Sequence, residues 1–294
     1  MAGSETRVFR PKSLGGLLRL YARNPEALLY AGGTEIVPHH QLGSGRLLEL
    51  PDKVIYLGAV PELARISRSQ RFLDIGACLS VSRILSMGRN VLPPVLFQAL
   101  AGIGTPSLRN LVTMGGNLCA SQSRGDIRSA LSVIDAQLEL RSAAGGRWVG
   151  VGQLFSRSPG PDLGPGELLT RVRVPLEEWD IQHFRKVPLD GPGSHGALCF
   201  AAVAHFPKGS LDALRMCFTA PSLPLFRSRE LESRLKSARL PIPARQAEAL
   251  VAELKESLGF AETADSQSRY VRATAVRLTR AFLAELNARS LEER

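Results

Sequence analysis

Leu29-Tyr30-Ala31-Gly32-Gly33-Thr34-Glu35-Ile36 is the stretch that decides the fold: an apolar run breaking into paired glycines and a hydroxyl. Glycines admit positive φ and close backbone approach, so consecutive N–H groups can point into one concavity and bind an anion, with the Thr34 hydroxyl as a further donor. Taken alone, a Gly-Gly after a strand is more often only a tight turn. The pattern recurs at Thr113-Met114-Gly115-Gly116-Asn117, just after Thr105-Pro106-Ser107-Leu108-Arg109-Asn110. Two such loops facing one another can hold a diphosphate from both sides. Neither matches the Gly-x-Gly-x-x-Gly dinucleotide fingerprint or the phosphate loop ending in Gly-Lys-Ser/Thr, so a different nucleotide-binding architecture is required.

Outward from the first loop, Ser13 to Asn24 carries Leu17, Leu18, Leu20 and Ala22 at helical spacing, and Asn24-Pro25 stops it before a short buried strand from Ala27 to Tyr30. Val54 to Leu57 and Phe72 to Ile75 read as strands, and Ser80 to Met87 and Val91 to Gly102 as helices. The stretch from Gly145 to Gly166, rich in Gly, Pro and Ser, predicts surface loops, and Glu167 to Pro175 a strand. Ala197 to Phe206 and Leu214 to Thr219 read as two more strands, followed by amphipathic helices from Pro243 to Leu258 and Ser268 to Asn287. This order predicts an α+β chain with a separate C-terminal α+β domain starting near residue 178.

With 294 residues the chain can bury two cores. No unbroken apolar stretch reaches the roughly 18 residues of a spanning helix, and the N-terminus lacks a secretory pattern, so a cytoplasmic protein with no membrane role is expected. Cys78, Cys119, Cys199 and Cys217 show no CxxC spacing and no nearby histidine pair, which leaves neither a zinc site nor an iron–sulfur cage. His39 and His40 adjoin the first glycine loop, but neighbours on an extended chain point apart, and no metal is assigned. A net charge of +10 raises nucleic-acid binding as a reading. Arginine supplies most of the 37 basic residues, spread along the chain among acidic ones with no basic run, so no nucleic-acid partner is expected.

The AGGTE segment, the RNLVTMGGNL segment, Asp126 and the following IRSALSVIDAQLEL together resemble the flavin subunit of the molybdenum hydroxylases, the xanthine dehydrogenase and carbon monoxide dehydrogenase family. The likeness continues through Glu167-Leu168-Leu169, Phe184-Arg185-Lys186 and Ala220-Pro221-Ser222 with Arg227, into the last helix. The resemblance implies a two-lobed FAD-binding domain over residues 1–177, with lobes of roughly 1–55 and 56–177. A smaller C-terminal sheet-plus-helix domain follows over 178–294.

It further implies that Leu29, Tyr30, Ala31, Gly32, Gly33, Thr34, Glu35 and Ile36 wrap the FAD pyrophosphate, with Thr113, Gly115, Gly116 and Asn117 closing the second side. Asp126 would accept hydrogen bonds from sugar or ribityl hydroxyls, Ile103 and Leu169 would line the flavin and adenine, and Lys186 would be the cation near the flavin. A reduced flavin is negative around N1 and O2, so an ammonium there stabilises it. In this family molybdopterin sits on a large partner subunit and two [2Fe–2S] clusters on a small one, and the flavin passes electrons to NAD or another acceptor. The chain departs from the family pattern at Gln122-Ser123-Arg124, at Ser129 and from Val187 to His195, which keeps open a second reading: an assembly module of the same fold that has lost FAD.

Overall fold

A computed structural model of the protein describes residues 6–37, 50–120, 126–156, 160–189, 196–221, 223–258 and 266–292. The histidine pair at 39–40, the departure at 122–124 and residues 190–195 lie outside them.

The N-terminal lobe is built on a parallel three-stranded sheet, in which β1 (Arg7–Phe9) and β2 (Leu28–Tyr30) flank β3 (Lys53–Tyr56). Helix α1 (Leu14–Arg23) starts at Ser13, whose hydroxyl accepts the Gly16 amide at 3.2 Å, and buries Leu17 and Leu18 against Ile55, Val60, Leu63 and Leu168. Parallel strands share one C-terminal edge, and ligands of open parallel sheets bind beyond that edge. The Gly32-Gly33 loop leaves β2 there.

The second sheet is antiparallel, with β4 (Ile66–Arg68), β5 (Phe72–Gly76), β6 (Gln137–Ser142), β7 (Gly145–Gly150) and β8 (Leu168–Pro175) in the order β4-β5-β8-β6-β7. The expectation of surface loops from Gly145 is therefore corrected over its first part, where Gly145 to Gly150 is strand and Val151–Leu154 a helical turn, α7. A tight hairpin to β6, with Ser142 opposite Gly145, supplies the hydrogen-bonding partner that overrides the poor strand propensity of glycine. Val149 then points into the core, and Trp148 stays at the surface.

Between β5 and β6 lie short helices α2 (Val81–Leu85), α3 (Pro94–Ala101), α4 (Pro106–Arg109), α5 (Met114–Cys119) and α6 (Arg128–Val133). They join the second sheet to a third, four-stranded antiparallel one: β9 (Ile181–Pro188), β10 (Ala197–His205), β11 (Ala213–Ala220) and β12 (Leu223–Phe226), in the order β12-β11-β10-β9. Residues 197–204 of β10 are all buried because both faces of this sheet are covered. One face shares a core with α3 and α6 through Phe184, Cys199, Ala201, Val203 and Cys217. The other packs on α8 (Arg229–Arg234), α9 (Ala244–Ser257) and α10 (Ser266–Glu292), where Phe200 stacks on Phe218 at 4.8 Å and meets Phe282 edge-on. Each fully buried Phe contributes about 2–3 kcal/mol of transfer free energy to this core. Helix α10 runs five residues past its expected end at Asn287, with Ser290 still buried.

Candidate functional site

The first glycine loop turns sharply because Gly33 has a φ of +73° and its carbonyl accepts the Val37 amide at 2.9 Å, opening a helical turn. The backbone N–H groups of Gly33 and Thr34 make no hydrogen bond among the described residues. Backbone donors without protein partners are the groups an anion can recruit. Gly32 lies flat against the segment leading into α5: a Cβ there would sit 1.8 Å from the Leu111 carbonyl oxygen. Tyr30 turns away, its ring tilted on Tyr56 at 6.3 Å and its hydroxyl beneath Gly33.

The second loop differs in what its backbone has left. Thr113 caps α5, accepting the Gly116 amide on its hydroxyl at 3.1 Å and the Asn117 amide on its carbonyl at 2.9 Å. The Met114 amide goes to Leu79 O at 3.0 Å and that of Gly115 to Ala77 O at 2.7 Å. The glycines at 115 and 116 thus offer close approach rather than amides. A Cβ on Gly115 would stand 2.8 Å from that of Ala77.

Two adjoining cavities run between the loops. One, of about 480 Å³, is mostly apolar and is lined by Leu29, Ala31, Gly32, Gly33, Thr34, Glu35, Ile36, Thr113, Gly115, Gly116 and Leu169, with Leu28, Leu57, Ala77, Cys78, Cys119, Ala120, Leu163 and Leu168. The other, of about 390 Å³, is more polar and is lined by Ile103, Asn117, Asp126 and Lys186, with Gly104, Leu108, Val112, Leu189, Gly196 and Ala197. Thr34, Glu35 and Gly116 line both, so the two form one elongated slot. Of the residues expected at the site, Tyr30 alone lines neither, because its ring supports the Gly33 turn from below.

Lys186 and Asp126, far apart in sequence, meet in the polar cavity: Lys186 Nζ donates to Asp126 Oδ2 at 2.7 Å and to Gly102 O at 3.3 Å. The neighbouring Arg185 instead donates to Phe184 O, so β9 alternation sends Lys186 toward the slot. Sequence reasoning missed Arg128. It is 4% exposed, donates to Leu118 O and Ala120 O at 2.6–3.0 Å, and lies 4.2 Å over the Phe155 ring. Burial lowers its pKa to about 10, so it stays charged and ties down the end of α5. The signal for it was faint: all of α6 is buried, so no amphipathic period marks which side faces in. Cys78 and Cys119 line the apolar cavity as thiols, pushed up by burial to about 12 and about 11.

The slot, its glycine walls and its ammonium–carboxylate pair suit a long cofactor with a ring at one end and a diphosphate inside. Residues 4–177 match the family model described as the FAD binding domain in molybdopterin dehydrogenase. The chain belongs to that family. Among relatives of this FAD-binding family, the nicotinate dehydrogenase FAD-subunit of Eubacterium barkeri is 33% identical over 202 residues, 67% of this chain and 62% of that protein. The xanthine dehydrogenase FAD-binding subunit of Escherichia coli O157:H7 is 27% identical over 245 residues, 81% of this chain and 82% of the relative. Aldehyde oxidase 2 of Cavia porcellus is 33% identical over 183 residues, 58% of this chain and only 13% of that much longer protein. In fold, the chain superposes on a structure of quinoline 2-oxidoreductase from Pseudomonas putida 86 with a TM-score of 0.76 and 23% identity, covering 97% of this chain and 99% of that one. A carbon monoxide dehydrogenase chain gives 0.80 at 20% identity, covering 98% and 100%. The fold is therefore shared with these two oxidoreductase chains, and the family model makes FAD the cofactor.

Proposed function

We propose that this chain is the FAD-carrying electron-transfer subunit of a multi-subunit molybdenum hydroxylase, an oxidoreductase. The observation that carries the reading is the slot itself, where an apolar and a polar cavity meet at a turn whose Gly33 and Thr34 amides await an anion. Residues 1–177 form the FAD-binding domain in this reading, with lobes of roughly 1–55 and 56–177. Residues 178–294 form the C-terminal domain that contributes Lys186.

The Gly33 and Thr34 amides and the Thr34 hydroxyl hold the pyrophosphate, and Leu29, Ala31, Gly32, Glu35 and Ile36 continue that wall. Gly115 and Gly116, flanked by Thr113 and Asn117, form the second wall, where the missing side chains let the cofactor lie close. Leu169 and Ile103 cover ring faces and exclude water, while Asp126 and Lys186 present fixed charges along the polar cavity. Tyr30 braces the Gly33 turn. Bound in the slot, FAD would supply two-electron chemistry, with [2Fe–2S] clusters on a small partner as its electron source, NAD or another acceptor as its outlet, and molybdopterin on a large partner. Four dispersed thiols, all held protonated by burial, support placing the clusters on a partner. No helix among the described residues is long and apolar enough to cross a membrane.

Purifying the full chain tests this. A yellow protein releasing FAD on denaturation supports the redox reading, and a folded, colourless protein that takes up no added FAD establishes the cofactor-free assembly module instead. Co-purification from the native host with a molybdopterin protein and a [2Fe–2S] protein tests the partners.

A further inference from the structure

We propose that Asp126 is the counter-charge that positions Lys186 and mutes its field, setting the reduction potential of the bound FAD below what Lys186 alone would give. The proposal rests on the FAD reading above and deepens it. The two side chains line the polar cavity and form a 2.7 Å ion pair. Their side chains are 12% and 31% exposed for Asp126 and Lys186, so water screens them only in part.

The pair is built into the fold from three elements. Lys186 comes from β9, and a second contact to Gly102 O beyond the end of α3 fixes its ammonium. Directly opposite Lys186 on β10 stands Cys199, whose Sγ lies 3.7 Å from Asp126 Oδ1. Burial first, and then the Asp126 charge, push the Cys199 thiol far up, so it remains a neutral donor that steadies the carboxylate. Both oxygens of Asp126 therefore have protein partners, which makes the carboxylate a fixed charge rather than a mobile ligand. Glu35 lines the same cavity and contributes a constant background.

When FAD takes up two electrons and one proton, the product is an anionic reduced flavin. A cation nearby favours that product and an anion opposes it, so the potential follows the local net charge. The wild-type pair sums to zero, Asp126→Asn to +1, Lys186→Met to −1, and the double variant again to zero.

The test is an equilibrium titration of FAD in the full chain with dithionite and a reference dye, for the wild type, the two single variants and the double variant. Asp126→Asn is expected to favour reduced FAD about tenfold, an upward shift of about 30 mV for a two-electron couple. Lys186→Met is expected to shift it about as far downward, and the double variant to return near the wild type. A variant that holds FAD weakly gives the same quantity as the ratio of its Kd values for oxidised and reduced FAD. A general loosening of the site would not reverse sign with charge. An Asp126→Asn potential at or below the wild type, or a double variant that tracks either single one, overturns the proposal. A wild type that binds no FAD overturns the FAD reading with it, a result distinct from both.

Discussion

The glycine pairs at 32–33 and 115–116 look alike in sequence and have opposite backbone roles. At 33 the positive φ goes with two amides that make no hydrogen bond among the described residues, whereas at 115 and 116 the amides are bound to Ala77 O and the Thr113 hydroxyl. Among these residues, the backbone of the first pair leaves amides without protein partners, and that of the second leaves none. A Gly-Gly dipeptide therefore does not say which of glycine's two properties is in use, the unusual φ or the missing Cβ.

Gly32→Ala should break the comparison most severely, since a methyl would stand 1.8 Å from backbone that cannot swing aside. Loss of about 3 kcal/mol or more in urea unfolding, with FAD absent from the purified protein, is the expected outcome. Arg128→Met comes next. It strips the donors from the Leu118 and Ala120 carbonyls at the end of α5, at about 1–3 kcal/mol for each buried acceptor left without one. The unfolding midpoint should fall clearly, and Arg128→Lys should recover part of the loss.

Gly115→Ala would push on the Cβ and carbonyl of Ala77, an overpacking cost of about 1–3 kcal/mol, which thermal unfolding would register. Gly33→Ala imposes a left-handed φ on a residue with a side chain, about 1–2 kcal/mol, and displaces the Tyr30 hydroxyl. Because this turn carries the open amides, FAD affinity measured by titration should drop by about tenfold. Gly116→Ala should matter least. Gaining about 1 kcal/mol of helix propensity offsets a similar loss as the Thr113 hydroxyl gives way, so the melting temperature should scarcely move.

The larger elements were legible in the sequence where one face of a helix or strand carried the apolar residues, as in α1, α9 and β8. Strand β10 was visible as an unbroken apolar run because both its faces are covered. Strand β9 was not, since Arg185 and Lys186 interrupt its pattern, and it is fixed by its antiparallel ladder to β10, with Gln98 accepting the Phe184 N–H at 3.0 Å. Strand β7 hid behind its glycines. At the site, the glycine loops marked themselves by composition, but the Asp126–Lys186 contact joins residues 60 apart that only the packing of α3, α6 and β9 brings together. Arg128 escaped notice because a buried arginine reads like a surface one until its carbonyl partners are located.

Amide hydrogen exchange with and without FAD tests the division between the two walls most directly. The account predicts that FAD slows exchange at Gly33 and Thr34, while Gly115, Gly116 and Asn117 are protected in its absence and change little. Fast exchange at 115–117 that FAD suppresses, with 33–34 unaffected, would contradict it.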